Sequence, residues 1–299
     1  MAALYIGIIL LFRVVQAVFS KRSSNEIRNL PMVIGYSAYR MLLSALMAIL
    51  LILIAGVGFR MPGLTLPIAV FSGVMLFCSS MCSIFAMKTG SVSLCSLFAT
   101  AGLLIPCFAG IFLFDQPVHP MQWVGIGIFF VSAVLLIGSS RKICAGFSRK
   151  TVFLLLGSLL SNGCTMLAQQ MFTRYVPDGD VSVFSFLSFG TIGVLCTVVF
   201  AVLCFRQKGA EGGIPADWRL NKPLLLCGFA LAVAVFVINQ LATLSTALVS
   251  PVVLFTFING GDMMISTLVA ALLYRERLTP QSVAGVLCGA ASLILVQAF

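Results

Sequence analysis

The sequence predicts an all-α polytopic membrane protein with ten transmembrane helices, arranged as two inverted repeats of five helices. The first observation behind this prediction is composition: 61% of the 299 residues are hydrophobic and 9% are charged. A soluble domain carries about 25% charged residues, so lipid must cover most of this surface. The second observation is a series of long apolar runs, and the third is a similarity between the two halves of the chain.

The apolar runs are interpreted as helices. Each approaches the roughly 20 residues that cross a bilayer and lacks the period-two alternation of a membrane β-strand. The connections are too short for a separate soluble domain. The first run lacks the basic segment of a cleaved signal peptide, so we interpret it as a span. The predicted spans are residues 2–20, 32–59, 64–87, 91–114, 120–140, 151–172, 181–205, 223–244, 247–274 and 280–299.

The formal net charge of +10 is explained by membrane topology. Cytoplasmic loops collect Lys and Arg, and the odd-numbered loops hold fourteen of the 18 basic residues. This bias predicts a cell-membrane protein with cytoplasmic odd loops and both termini outside. Nucleic acid is excluded as a partner because no binding module or cluster of basic and aromatic residues is present. The fourteen are Lys21, Arg22, Arg28, Lys88, Arg141, Lys142, Arg149, Lys150, Arg206, Lys208, Arg219, Lys222, Arg275 and Arg277, against Arg60 and Arg174 in even loops.

The two halves of the chain resemble each other on either side of the basic segment "GSSRKICAGFSRK" (138–150). "QAVFSK" (16–21) ends the first span, and "QQMFTR" (169–174) ends the sixth. A gapless shift of 160 residues aligns 96–125 with 256–285. Because each half has five spans, the second enters the membrane from the opposite side, as in many transporters. The shift matches Leu94, Ile105, Leu113, Pro120, Gly125, Ser132 and Leu135 with Leu254, Ile265, Leu273, Pro280, Gly285, Ser292 and Leu295.

The segment "LYRERLTPQSVAGVLCGAASLILV" (273–296) resembles the closing motif of the EamA domain in the drug/metabolite transporter superfamily. Residues 276–279, Glu-Arg-Leu-Thr, match the run that ends the penultimate helix of each repeat. In the first half, "FDQPVHP" has Gln116 where that Glu would be. Residues 87–106 resemble the junction of the third and fourth helices.

This resemblance implies repeats at 1–140 and 151–299, joined by a basic linker at 141–150, with a central cavity and alternating access. It does not imply a substrate, because the superfamily moves amino acids, nucleotide sugars, drugs and other metabolites. Its ten-helix members usually have cytoplasmic termini, whereas the charges of this chain predict the reverse.

Polar residues inside the spans recur at steps of three and four, which places them on one face of each helix. Such faces on the lipid side would be costly, so we expect several of them to meet in a polar cavity, although hydrogen bonding between helices explains many single hydroxyls. The faces are Arg13, Gln16 and Ser20; Ser93, Ser96 and Thr100; Asn162, Thr165 and Gln169; Asn239, Thr243 and Thr246; and Thr256, Asn259, Asp262 and Ser266.

Three ionisable residues lie inside spans: Arg13, Arg40 and Asp262. A charge at mid-membrane costs at least about 2.5–3.5 kcal/mol and usually marks a functional site. A structural ion pair between Asp262 and Arg13 is the alternative, and Arg40 lies close enough to a span end to reach the interface. Gly260 and Gly261 precede Asp262 and allow either a bend or a close approach by another helix.

The residues do not favour an enzyme. An intramembrane aspartyl protease needs two apposed carboxylates, and the acids other than Asp262 lie at span ends or in loops. The lone His119 cannot build a serine or metal mechanism. The ten cysteines, including Cys78 and Cys82, are typical of packing residues, so we expect no metal and no cofactor.

We therefore expect a carrier of a small polar metabolite, amino-acid-like, amphoteric or anionic, with the lipid bilayer as its solvent and a possible coupling proton. A drug-efflux carrier, a channel and a non-transporting scaffold are the alternatives. The candidate substrate-binding or coupling residues are Asp262, Arg13, Arg40, Asn259, Gln16, Gln169 and Asn239.

Overall fold

The computed structural model describes residues 2–27, 29–56, 58–89, 98, 101–114, 119–138, 149–207, 218, 220–273 and 280–298. In these ranges the regular secondary structure is helical, which confirms the all-α prediction. The helices are α1 Ala2–Glu26, α2 Leu30–Ala55, α3 Thr65–Thr89, α4 Leu104–Phe114, α5 Pro120–Gly138, α6 Arg149–Tyr175, α7 Val181–Gln207, α8 Lys222–Ser245, α9 Pro251–Leu273 and α10 Pro280–Ala298.

Six of the described helices, α1, α2, α3, α6, α7 and α8, are long and apolar enough to cross a membrane. Large apolar side chains also cover the outside of the molecule. Ile54, Phe112 and Phe153 are among the most exposed. An apolar exterior of this extent suits lipid rather than water, so the fold is compatible with a multi-pass membrane protein.

Glycine and proline set several helix ends. The second predicted span extends to residue 59, but α2 ends at Ala55 because Gly56 adopts a left-handed conformation (φ 62°) and its N–H bonds to the carbonyls of Ile52 and Leu53. Pro251, at the first position of α9, starts that helix four residues later than the predicted span. Of the motifs noted in the sequence, residues 90–97, 99–100, 115–118, 139–148 and 274–279 lie outside the described ranges.

Helices of the first half pack mainly on helices of the second half. The most extensive contacts join α2 with α7, α5 with α10, α3 with α6, and α1 with α8. The main apolar core follows the same arrangement, since Ile9, Phe129 and Phe255 belong to one buried cluster. A second cluster joins α2 with α7 and α8. The two halves therefore share one core.

The contact between α5 and α10 is reciprocal. Ser132 Oγ donates to the carbonyl of Gly285 at 2.6 Å, and Ser292 Oγ donates to the carbonyl of Gly125 at 2.8 Å. The end of each helix thus meets the beginning of the other, so the two helices run antiparallel. These four residues are two of the pairs that the 160-residue shift matches.

Close glycine contacts also recur with the halves exchanged. A Cβ on Gly73 of α3 would lie 2.6 Å from the Ser188 carbonyl oxygen of α7, and one on Gly228 of α8 would lie 2.8 Å from the Tyr39 ring of α2. Glycine at both positions lets the helix backbones approach closely. Each contact joins the third helix of one half to the second helix of the other.

Candidate functional site

A cavity of about 260 Å³ lies between the two halves. Its walls come from α1, α2 and α3 on one side and from α6, α8 and α9 on the other. Polar side chains make up about half of the lining, which is unusual for the interior of a chain this apolar. The polar lining residues are Arg13, Gln16, Arg40, Ser79, Ser80, Asn162, Thr165, Gln169 and Asn239; the apolar ones are Met41, Leu76, Met166, Val235, Ile238, Ala242, Phe255 and Ile258.

Helical spacing explains why these side chains converge. Arg13 and Gln16 are three residues apart on α1, and Asn162, Thr165 and Gln169 follow at three and four residues on α6. Residues at these spacings share one helix face. These faces were expected to meet, and the structure brings five of the seven candidate residues to one cavity.

Arg13 links the cavity to Asp262. Its Nη1 donates to Gln16 Oε1 at 2.9 Å and lies 3.7 Å from Asp262 Oδ2. The second distance exceeds that of a hydrogen bond, so this contact is a loose ion pair. The exposed fractions are 18% for the Arg13 side chain and 40% for that of Asp262. In this pair, the Arg13 guanidinium belongs to the more buried side chain and the Asp262 carboxylate to the more exposed one.

Arg40 lines the cavity from α2 without a comparable partner. Among the described residues, no carboxylate lies within ion-pair distance of its guanidinium, and its buried Nε has no hydrogen-bond partner. The backbone beneath it is held in place, because Ser44 Oγ hydrogen-bonds to the carbonyls of Arg40 and Ala232. This bond ties α2 to α8 where α2 presents Arg40 to the cavity.

An amide pair forms part of the opposite wall. Gln169 Nε2 donates to Asn239 Oδ1 at 3.0 Å, and Asn239 Nδ2 donates to the carbonyl of Val235 at 3.0 Å. The first bond joins α6 to α8, and the hydroxyls of Thr173 and Thr246 join the same helices 2.9 Å apart. In this arrangement Gln169 Oε1 makes no hydrogen bond within the described residues, so it can accept one from a solute.

Two candidate residues, Asn259 and Asp262, do not line the cavity. From α9, the residues Phe255 and Ile258 line the cavity. Asp262 follows Ile258 by four residues, so it continues the same helix face one turn beyond the cavity, where it meets Arg13. Asn259 lies to one side, and its Nδ2 donates to the Phe255 carbonyl of its own helix. Asp262 is thus connected to the cavity through Arg13, which lines it.

Gly261 explains how Arg13 and Asp262 come together. The helix α9 runs without interruption from Pro251 to Leu273, so the glycine pair does not break it. A Cβ on Gly261 would instead collide with the side chain of Leu10 on α1. Leu10 precedes Arg13 by three residues, and Asp262 follows Gly261 directly. Of the two interpretations of the glycines, close approach is the one that the structure supports.

Comparison with known proteins gives a fold but no family. No family model and no curated protein matches the chain. A solved structure described as "Crystal structure of protein" matches with a TM-score of 0.75 and 15% sequence identity, over 97% of this chain and 96% of that one. At this identity the likeness shows the fold alone. It extends over almost the full length of both chains, so the whole helical arrangement is shared.

Ser79 and Ser80, which line the cavity from α3, were not among the residues predicted from the sequence. They lie between Cys78 and Cys82, and two adjacent hydroxyls in an apolar helix were the signal that could have identified them. Cys82 lies in the contact between α3 and α6, where a Cβ on Gly157 would approach its sulfur to 3.0 Å. In the ranges that the structure describes, no three His, Cys, Asp or Glu residues are grouped as metal ligands would be.

Proposed function

We propose that the protein is a secondary transporter that carries a small polar metabolite across a cell membrane by alternating access. The observation that carries this proposal is the polar cavity between the two halves. A cavity lined by two arginines and four side-chain amides, inside an all-helical chain with an apolar exterior, has the character of a solute-binding site. Transporter folds place their substrate sites at such an interface between halves.

The proposal includes ten spans in two inverted repeats, residues 1–140 and 151–299. A two-fold axis between equivalent halves requires that a contact between residue i and residue j recur with the halves exchanged. The reciprocal Ser132–Gly285 and Ser292–Gly125 bonds have this property. So do two pairs of helix contacts, α3–α6 with α1–α8, and α3–α7 with α2–α8. The antiparallel arrangement of α5 and α10 supports a two-fold axis in the plane of the membrane.

Membership of the EamA-type drug/metabolite transporters belongs to the proposal and rests on the motif at 273–296. The near-full-length likeness to a solved fold is compatible with it. The distribution of Lys and Arg supports cytoplasmic odd-numbered loops, although members of that superfamily usually have the opposite orientation.

A carrier of small polar solutes is favoured over a drug-efflux carrier. The cavity volume of about 260 Å³ lies below the roughly 300–1,000 Å³ typical of clefts for drug-sized ligands. Arginine and amide side chains in the lining also suit a polar solute better than an apolar one. A channel or a scaffold would not need a charged cavity of this size at the interface between the halves, so both alternatives are less favoured.

Asp262 and Arg13 are the proposed coupling pair. A proton on Asp262 would remove the carboxylate charge that faces Arg13 and so change the charge balance beside the cavity. The alternative role, direct contact of Asp262 with the solute, is less favoured because Asp262 lies beyond the cavity lining.

A thermal-shift screen of the purified protein against metabolite pools tests whether the cavity binds such a solute. A ligand that binds only the folded state raises the melting temperature. Small polar metabolites should raise it saturably. Stabilisation by bulky apolar compounds alone would favour the drug-efflux alternative instead.

A further inference from the structure

The two cavity arginines are unequal in charge compensation. Arg13 has Asp262 at 3.7 Å and Gln16 at 2.9 Å. Arg40 has no carboxylate within ion-pair distance among the described residues. A buried Nε without a described hydrogen-bond partner is common to both arginines, so the carboxylate is what distinguishes them. The ionisable groups described at the site therefore leave a net charge of about one positive unit on the α2 side of the cavity.

An uncompensated guanidinium inside a membrane protein is costly. Proteins retain such a group where a ligand supplies the opposite charge, and a guanidinium binds a carboxylate through two parallel hydrogen bonds. Arg40 is also held in position, because the Ser44 hydroxyl ties its turn of α2 to α8. The cation is thus presented to the cavity by a fixed backbone.

We infer that the cavity binds a small monocarboxylate, or a zwitterion with one carboxylate, whose carboxylate is held by Arg40. This inference names the substrate class of the proposed transporter and so rests on that proposal. A solute with one negative charge balances the single positive charge that the described groups leave at the site, whereas a phosphate dianion would leave a net negative charge. The volume of about 260 Å³ limits the solute to a small one.

The opposite wall gives the solute an orientation. Asn239 uses its Oδ1 for Gln169 and its Nδ2 for Val235, while Gln169 Oε1 is available as an acceptor. A hydroxyl or ammonium group at the other end of the solute can donate to that oxygen. The solute then spans the cavity, from the cationic first half to the amide pair of the second half.

The first test needs no ligand and uses the purified protein at low ionic strength. Arg40→Gln removes a charge that no described carboxylate compensates, so its unfolding midpoint should equal or exceed that of the wild type. Arg174→Gln, which removes an exposed arginine from the end of α6, is the matched control and should match the wild type. A clear loss of stability or a failure to fold in Arg40→Gln alone would mean that Arg40 has a structural partner, and the inference would fall.

The second test uses carboxylates with their amides as matched probes: lactate and lactamide, L-alanine and L-alaninamide, nicotinate and nicotinamide. At least one carboxylate should raise the wild-type melting temperature saturably, and its amide should not. Arg40→Gln should weaken that binding by at least about thirtyfold, as expected when one side of a buried charged hydrogen bond is lost. Arg40→Lys should retain part of the affinity, and Arg174→Gln should retain all of it.

Three results overturn the inference: no response to any carboxylate, equal responses to a carboxylate and its amide, or a stronger Arg40-dependent response to inorganic phosphate. Uptake by proteoliposomes separates this failure from failure of the transporter proposal. Arg40-dependent binding of a carboxylate that is never carried into the vesicles would leave the inference standing and remove transport. Saturable uptake of a neutral solute that Arg40→Gln does not affect would support the transporter proposal and overturn the inference that Arg40 binds a carboxylate.

Discussion

Asp262 and Arg13 form a loose ion pair at the edge of the cavity. Their 3.7 Å separation and the 40% exposure of the Asp262 side chain distinguish this pair from a buried structural salt bridge, which needs close geometry and further hydrogen bonds to repay desolvation. Arg13 also donates a hydrogen bond to Gln16 at 2.9 Å. A pair of this kind can open and close, as coupling requires.

We predict that Asp262→Asn folds normally and still exchanges substrate across the membrane, but no longer accumulates it in response to a pH gradient. Asparagine preserves the shape of the side chain and cannot carry the proton. The measurement is uptake by proteoliposomes with and without an imposed gradient, with thermal unfolding as the folding control.

Two other outcomes of this substitution would assign a different role to Asp262. Weaker substrate affinity at every pH would indicate direct binding. Poor folding that Arg13→Gln repairs in the double variant would indicate a structural pair. Normal accumulation by a well-folded Asp262→Asn protein would remove the residue from the mechanism.

At the level of helices, glycine contacts determine how closely the two halves approach. A Cβ on Gly73 would lie 2.6 Å from both the Ser188 carbonyl oxygen and the Thr191 Cβ, and the carbonyl is a backbone atom that cannot rotate away. We predict that Gly73→Ala lowers the free energy of unfolding by about 1–3 kcal/mol, the range typical of overpacking. Gly127→Ala is the control, because nothing lies within 4 Å of its Cβ position. Equal stabilities of the two variants in denaturant titrations would contradict the α3–α7 contact.

The reciprocal α5–α10 bonds make a second prediction at this scale. Ser132→Ala and Ser292→Ala each remove one interhelical hydrogen bond, and such bonds in membrane proteins are worth about 0.6 kcal/mol, up to about 1.7. Since the two bonds are equivalent, we expect the two losses in unfolding free energy to be similar. Thr197→Val, which removes a bond within α7 to the Gly193 carbonyl, is the control and should cost less. A large loss in one serine variant and none in the other would count against the two-fold relation.

The presence of the helices could be predicted from this sequence, whereas the side chains that contact one another across helices could not. Composition and run length predict helices in lipid, because only helices and closed β-barrels satisfy their own backbone hydrogen bonds there and the apolar runs lack the alternation of barrel strands. Five candidate residues line one cavity, and helical spacing accounts for part of this, because it places Arg13 and Gln16 on one face of α1. The position of Asp262 was not predictable, because it depends on how closely α1 and α9 pack at Gly261. The absence of a carboxylate near Arg40 among the described residues likewise depends on tertiary contacts.

At the level of the whole molecule, orientation in the membrane follows from charge. We predict that the odd-numbered loops face the cytoplasm, because they hold most of the Lys and Arg residues. A cysteine-free protein with single cysteines restored at position 144 or introduced at position 208 should react with an impermeant maleimide only after the cells are permeabilised. Labelling of both positions in intact cells would show that the odd-numbered loops lie outside, which is the opposite of the predicted orientation.

Saturable uptake is the most direct test of the claim that this chain is a carrier with its substrate site between the two halves. The solute that most raises the melting temperature would be offered in radiolabelled form to proteoliposomes containing the purified protein. We expect uptake that saturates with concentration, discriminates between enantiomers where the solute is chiral, and accelerates when unlabelled solute is preloaded inside. Uptake that rises linearly with concentration and ignores preloading, or no uptake of a solute that binds the cavity, would contradict the account.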